Sequence, residues 1–216
     1  MSAIPIEAGT MLRATGLECT RGERRLFSDI SFSLDSGTLL QVRGPNGSGK
    51  TSLLRIVCGL LLPDAGEISW HGRRIRELGE EYRAGLCYIG HLNAIKDELD
   101  SAENLRYFAH MAGLPVAEPA IGDALRVLEL GSCVRLPCKL LSQGQKRRVA
   151  LARLPLSRTR TLWVLDEPFA GLDAQATALA CSLIEEHLAA GGIVLLTTHQ
   201  ETRFSAGTTR EVELRA

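Results

Sequence analysis

The chain has 216 residues, 45% of them hydrophobic and 23% charged, which suits one globular domain, or one domain with a subdomain, around a sizeable core. Its 25 basic and 25 acidic side chains cancel to a formal net charge of +0, so no overall field draws it to nucleic acid or anionic lipid. No apolar run reaches transmembrane length, and residues 1–10, lacking a basic start and a long apolar stretch, are expected to be a flexible tail rather than a secretory signal.

In chain order, strands are predicted over residues 11–19, 30–34 and 39–42, separated by the turn residues Arg21-Gly22-Glu23 and Asp35-Ser36-Gly37. The third strand runs into Gly44-Pro45-Asn46-Gly47-Ser48-Gly49-Lys50-Thr51, and a helix follows from Ser52. This stretch fills G-x-x-x-x-G-K-[ST] at every fixed position, between an apolar strand and a helix. A polyphosphate needs many short donors converging on it. Glycines let the backbone bend into a concave nest of bare N–H groups, and the helix N-terminus adds partial positive charge. Lys50 can bridge the outer phosphates, and the Thr51 hydroxyl can ligate Mg²⁺.

Gly59 and Pro63 stop that helix. Strands are predicted over residues 67–70 and 86–89. From about residue 95 to 142 the periodicity is helical. Asp100-Ser101-Ala102-Glu103 is a capping-box signature, with Leu105, Phe108, Ala109 and Ala112 on one face; Ile121, Leu125, Leu128 and Leu130 mark a second helix. Ser142 opens a third, expected to run until Pro155 breaks it. A strand over residues 161–165, a helix over 174–190, a buried strand over 193–197 and an edge strand over 211–214 complete the chain. This is the pattern of a parallel α/β core with an all-helical insertion between two strands.

The strand over 161–165 emerges on Asp166-Glu167. In open α/β sheets ligands bind at the C-terminal ends of strands. Asp166 can hold Mg²⁺ through its water shell, and Glu167 can polarise an attacking water. Taken alone, the pair also reads as a solvated acidic turn. Six cysteines (Cys19, Cys58, Cys87, Cys133, Cys138 and Cys181) form no C-x-x-C pair. ATP chemistry implies a reducing compartment, in which they are expected to be buried free thiols.

Leu141-Ser142-Gln143-Gly144-Gln145 resembles the L-S-G-G-Q signature of ATP-binding cassette (ABC) ATPases, with Gln143 in place of a glycine. Ala170-Gly171-Leu172-Asp173 resembles the D-loop of that family, Pro168 follows the acids as it does there, and His199 resembles its switch histidine. The motifs stand in the family's order from Leu12 to His199. The resemblance implies an ABC-type nucleotide-binding domain over residues 11–216. It would have a RecA-like parallel-sheet core, an N-terminal antiparallel β subdomain and a helical subdomain over about 95–145. It also implies a head-to-tail dimer, in which the signature of one copy closes on the ATP held by the other. Glu167, His199 and His91 would serve catalysis. Residues 44–51, Ser52 and Arg21 would bind nucleotide, Thr51 and Asp166 would hold Mg²⁺, and Asp173 would help couple the two sites.

Two positions depart from the family. His91, in Ile89-Gly90-His91, stands where glutamine is usual, and reads either as a substitute for that amide or as a loop histidine without a role. Arg21 stands where an aromatic residue stacks on adenine; a guanidinium can stack but discriminates bases weakly. Arg21, Ile89-Gly90-His91 with Ile95-Lys96, Leu162 to Phe169, and Thr197-Thr198-His199-Gln200 together resemble the haem exporter ATPases of bacterial cytochrome c maturation. That likeness implies a peripheral subunit on the cytoplasmic face of the inner membrane, with the permease CcmB and with CcmC/CcmD as partners and no nucleic-acid partner. ATP hydrolysis there would serve haem export or release of the haem-loaded periplasmic chaperone. Another transported cargo, or a soluble ABC ATPase, are the alternatives. The docking surface is expected around residues 91–96 and the helical insertion, where Tyr107, Phe108 and Met111 read as core or as interface.

Overall fold

The computed structural model describes residues 11–200, 202 and 204–214; the tail expected over residues 1–10 lies outside them. β1 (Leu12–Arg21) and β2 (Arg24–Leu34) form an antiparallel hairpin. Both run further than the sequence pattern suggests, because the charged hairpin tip pairs, Thr20 with Arg25 and Arg21 with Arg24. β3 (Thr38–Arg43) follows, then the phosphate-loop segment and α1 (Lys50–Val57). Gly59 closes α1 at φ +69°, with Gly59 N–H donating to Ile56 and Leu60 N–H to Arg55, the double bond of a glycine-terminated helix. β4 (Ala65–Trp70) and β5 (Arg73–Arg74) complete a four-stranded antiparallel sheet of order β2-β1-β4-β5. Two short helices absent from the sequence reading, α2 (Ile75–Leu78) and α3 (Glu80–Ala84), lead to β6 (Leu86–Ile89).

The helical stretch contains α4 (Ser101–Met111), α5 (Glu118–Val127), two 3-10 turns (Gly131–Cys133 and Cys138–Leu140), α6 (Gln143–Leu151) and α7 (Arg153–Leu156). Asp100 caps α4 through a reciprocal box with Glu103, as expected. The helix opened by Ser142 ends at Leu151, before Pro155. That proline instead sits in the first turn of α7, where a missing N–H costs no helical bond. β7 (Leu162–Asp166), α8 (Ala174–Ala189), β8 (Ile193–Thr197) and β9 (Thr208–Glu213) follow. β9 begins three residues before its predicted start, because it pairs with the whole of β3 from Thr38 to Arg43.

The second sheet is parallel throughout, in the order β6-β7-β8-β3-β9. β7 and β8 are buried along their whole length, so side chains alternate between two cores rather than between core and water. Leu162, Val164, Ile193 and Leu195 pack with α1 and the antiparallel sheet. Trp163, Leu165, Val194 and Leu196 pack with the helices from α4 to α8. On that second face His187 stacks flat on Trp163, ring centroids 3.9 Å apart. Burial pulls its imidazole down to about 4, so it packs as a neutral plate. The six cysteines are free, five of them buried, in line with the sequence reading.

Candidate functional site

Because every strand of the second sheet runs the same way, the chain leaves β3, β6, β7 and β8 on one edge. The order β6-β7-β8-β3 then sets four segments side by side: the His91 loop, the acid pair, Thr197 to His199, and the phosphate loop. A cleft of about 570 Å³ opens there. Asn46, Gly47, Gly49, Lys50, Thr51 and Ser52 line it from the loop and α1. Asp166, Glu167, His91, His199 and Arg21 line it from the other segments. The structure thus gathers in one place most of the residues that the sequence nominates. A second cleft, of about 500 Å³, lies between the end of α1, β4 and the α2–α3 segment, is lined by both apolar and charged side chains, and holds neither the loop nor the acids.

The loop's shape follows from its glycines. Gly49, the N-cap of α1, has φ +98°, and a β-carbon there would lie 2.9 Å from side-chain carbons of both Leu26 and Phe27. Only glycine takes that conformation and that space. Lys50 Nζ donates to the carbonyls of Gly44 at 2.8 Å and Pro45 at 3.2 Å, spanning the mouth of the loop. Ser48 is buried, and its hydroxyl has no hydrogen-bond partner among the described residues.

Next to the loop lies a closed network of oxygens. Thr51 Oγ1 donates to Asp166 Oδ2 at 2.8 Å, and Thr197 Oγ1 donates to Asp166 Oδ1 at 2.7 Å. Thr197 Oγ1 also accepts the Glu167 N–H at 2.9 Å. Glu167 takes a left-handed φ of +50°, unusual outside glycine, and is held there from both sides. Its Oε1 is buried, has no hydrogen-bond partner among the described residues, and lies 3.3 Å from Nε2 of the half-exposed His199. Hard oxygen donors meeting at Thr51 and Asp166 fit Mg²⁺, which usually completes its shell with water and substrate phosphate. Among the described residues no cluster of three His, Cys, Asp or Glu could hold a metal by itself.

The signature lies outside this cleft. Ser142 caps α6: its Oγ accepts the Gln145 N–H at 3.2 Å, while Ser142 N–H donates to Gln145 Oε1 at 2.8 Å. That cap uses a lone pair and leaves the hydroxyl proton free to donate to an anion. Gln143 is exposed, so the missing glycine creates no clash. Gly144 backs onto the D-loop segment: a β-carbon there would lie 2.8 Å from the Gly171 carbonyl oxygen. Leu141 is buried. Asp173 caps α8, accepting the Ala176 N–H at 2.7 Å. Of the helical-insertion residues, Phe108 packs against the core, whereas Tyr107 and Met111 are exposed.

Two contributors escape the sequence reading. Thr197 looks like the tail of an apolar strand. Arg147 sits in the run Lys146-Arg147-Arg148, which reads as a solvated face. Its i+3 and i+4 spacing from Ala150 and Leu151, both buried, is a local signal that could have turned it inward. His91 is exposed at the cleft wall. Replacing it with glutamine is expected to leave hydrolysis within a few-fold of the parent in steady-state assays, since an amide also offers a donor and an acceptor. A large loss would give the imidazole a role that an amide cannot fill.

The chain is similar to known proteins in both sequence and fold. The model of the ABC transporter family matches residues 27–170. The cytochrome c biogenesis ATP-binding export protein CcmA of Dechloromonas aromatica is 53% identical over 204 residues, 94% of this chain and 100% of its own. The protein of the same name from Nitrosomonas europaea is 53% identical over 97% of both chains. A solved ATP-binding subunit of an ABC transporter superposes with a TM-score of 0.78 at 30% identity, covering 88% of this chain and 80% of its own.

Proposed function

The chain belongs to the ABC transporter family, and from that premise we propose that it is the ATP-hydrolysing subunit of a membrane ABC complex for cytochrome c maturation. One observation carries the chemistry: Lys50, the Thr51–Asp166 pair, Glu167, His199 and His91 converge on one cleft at the C-terminal edge of a parallel sheet. Phosphoryl transfer asks mainly for positioning and charge stabilisation, and this cleft supplies both. The loop N–H groups and Lys50 bind the phosphates of ATP. Glu167 accepts a proton from the attacking water. His199 touches the terminal phosphate and registers its loss. When bound, Mg²⁺ would be held by Thr51 and Asp166 and would offset charge on the phosphates.

The donors of Ser142 and Gly144 lie at a helix N-terminus outside the cleft, which supports a site completed in trans by a second copy. In this reading residues 95–145 act as a helical subdomain within a single domain. Among the described residues no helix is long and apolar enough to cross a membrane, so membrane attachment runs through a permease of the CcmB kind, with CcmC/CcmD in the complex. The exposed Leu92, Tyr107 and Met111 favour that docking side. Hydrolysis would serve haem export or release of a haem-loaded periplasmic chaperone, at the cytoplasmic face of the inner membrane.

The test is capture of the tagged chain from detergent-solubilised membranes, with ATPase rate measured against protein concentration. A co-purifying integral-membrane partner and a rate per chain that rises with concentration are expected. Capture of ribosomes or DNA instead, or full-rate turnover by a strict monomer, overturns the reading. A partner unrelated to haem handling leaves the motor intact and changes the cargo.

A further inference from the structure

Arg147, in the second turn of α6, is only 3% exposed. A buried guanidinium is tolerated only when its donors are met, and it has five N–H groups in a fixed planar fork. All five are used. Nε donates to the Pro168 carbonyl at 3.1 Å. Nη1 donates to the Gly90 carbonyl and to Asn93 Oδ1, both at 3.0 Å. Nη2 donates to the carbonyls of Asp166 at 2.9 Å and Glu167 at 2.7 Å.

These acceptors belong to two different walls of the cleft. Three are the successive carbonyls of Asp166, Glu167 and Pro168, where the chain leaves β7 and its sheet ladder. The other two flank His91. Thr197 already pins the N–H of Glu167, and Arg147 pins its carbonyl. Both peptide groups around a left-handed α-carbon are thereby fixed, so the carboxylate starts from a set direction. Arg153 repeats the theme one helix on: its Nη2 donates to the Ala94 carbonyl at 2.7 Å while its guanidinium lies over the Phe108 ring.

We propose that Arg147 is a positioning residue for hydrolysis, one that holds Glu167 in its working geometry and fastens the acid pair and the His91 loop to the helix headed by Ser142. This rests on the hydrolytic reading above. Burial pulls the Arg147 guanidinium down to about 10, against the opposing pull of Asp166 and Glu167, which leaves it protonated at neutral pH. Among the described residues, no other side chain is recorded as donating to the same acceptors. Lysine keeps the charge, but its three donors radiate from one nitrogen and cannot bridge two walls.

The test compares parent and Arg147→Lys as purified full chains, by steady-state ATPase kinetics, nucleotide affinity and thermal unfolding. Expected is a kcat at least about tenfold lower, with KM and nucleotide Kd within about twofold, because the phosphate loop is untouched. A kcat within about twofold of the parent overturns the proposal. Should Arg147→Lys lose its cooperative unfolding transition, the decision passes to Asn93→Ala, which removes one acceptor from a partly exposed loop. A several-fold fall in kcat at unchanged KM then supports the clamp, and an unchanged kcat overturns it. The parent's own turnover separates the two readings. No turnover in the parent sinks the hydrolytic reading and this one with it. Turnover in the parent with an undiminished Arg147→Lys sinks this one alone.

Discussion

Glu167→Gln is expected to lower ATP turnover by roughly 10²–10⁴-fold, the usual range for removing a general base, while nucleotide affinity stays within a few-fold of the parent. The amide occupies the space of the carboxylate and leaves the backbone clamp of Thr197 and Arg147 in place, so what disappears is the capacity to take up a proton. The carboxylate is well placed to receive one, because Oε1 is buried, has no hydrogen bond to give up among the described residues, and lines the cleft beside His199. With binding kept and hydrolysis blocked, the proposed two-chain assembly should accumulate when ATP is added, visible as a shift in elution on a sizing column. Single-turnover kinetics with labelled ATP measure the chemical step directly. Parent-like turnover in this variant would remove Glu167 from the mechanism.

That expectation draws on residues of unequal legibility. The phosphate loop is readable because its chemistry dictates both residue types and spacing: Gly49 must be left-handed and must clear Leu26 and Phe27, and Lys50 must follow it. The acid pair is readable because a continuous apolar strand ends on it, and a strand buried on both faces leaves no other place for two carboxylates to emerge. Thr197 and Arg147 are not readable in the same way. Their roles are made by pairings across long separations in the chain, such as Arg147 with Gly90, which no local period encodes. The short helices α2 and α3 fail for another reason: four or five residues are too few to display a helical repeat. β9 is polar and exposed almost throughout, so only its pairing with β3 makes it a strand. Local chemistry therefore announces the proposed phosphate site, while tertiary hydrogen bonds decide how the proposed hydrolytic groups are held.

Lys50→Ala should abolish measurable nucleotide binding at the concentrations that saturate the parent. Hydrogen bonds from a charged donor contribute about 1.5–3 kcal/mol each, and each 1.4 kcal/mol is about tenfold in affinity, so on the proposed reading, in which the ammonium contacts two phosphates, its loss costs on the order of a hundredfold or more. The same ammonium donates to the carbonyls of Gly44 and Pro45 at the mouth of the loop. An ammonium carries three protons, so it can keep part of that bridge while turning toward phosphate. Its removal leaves those carbonyls at an open cleft, where water can take them, and the fold should lose little. Isothermal titration with ATP, read beside thermal unfolding of the nucleotide-free chain, separates the two effects. Binding should vanish while the unfolding midpoint moves by only a few degrees. Arginine at this position would restore charge but not shape, because a planar fork does not fit a nest built around a point charge, and it should recover only a fraction of the lost affinity. Unchanged ATP affinity in Lys50→Ala would mean that the glycine-rich turn cradles something other than phosphate, and the reading of the cleft would have to be rebuilt from the acid pair alone.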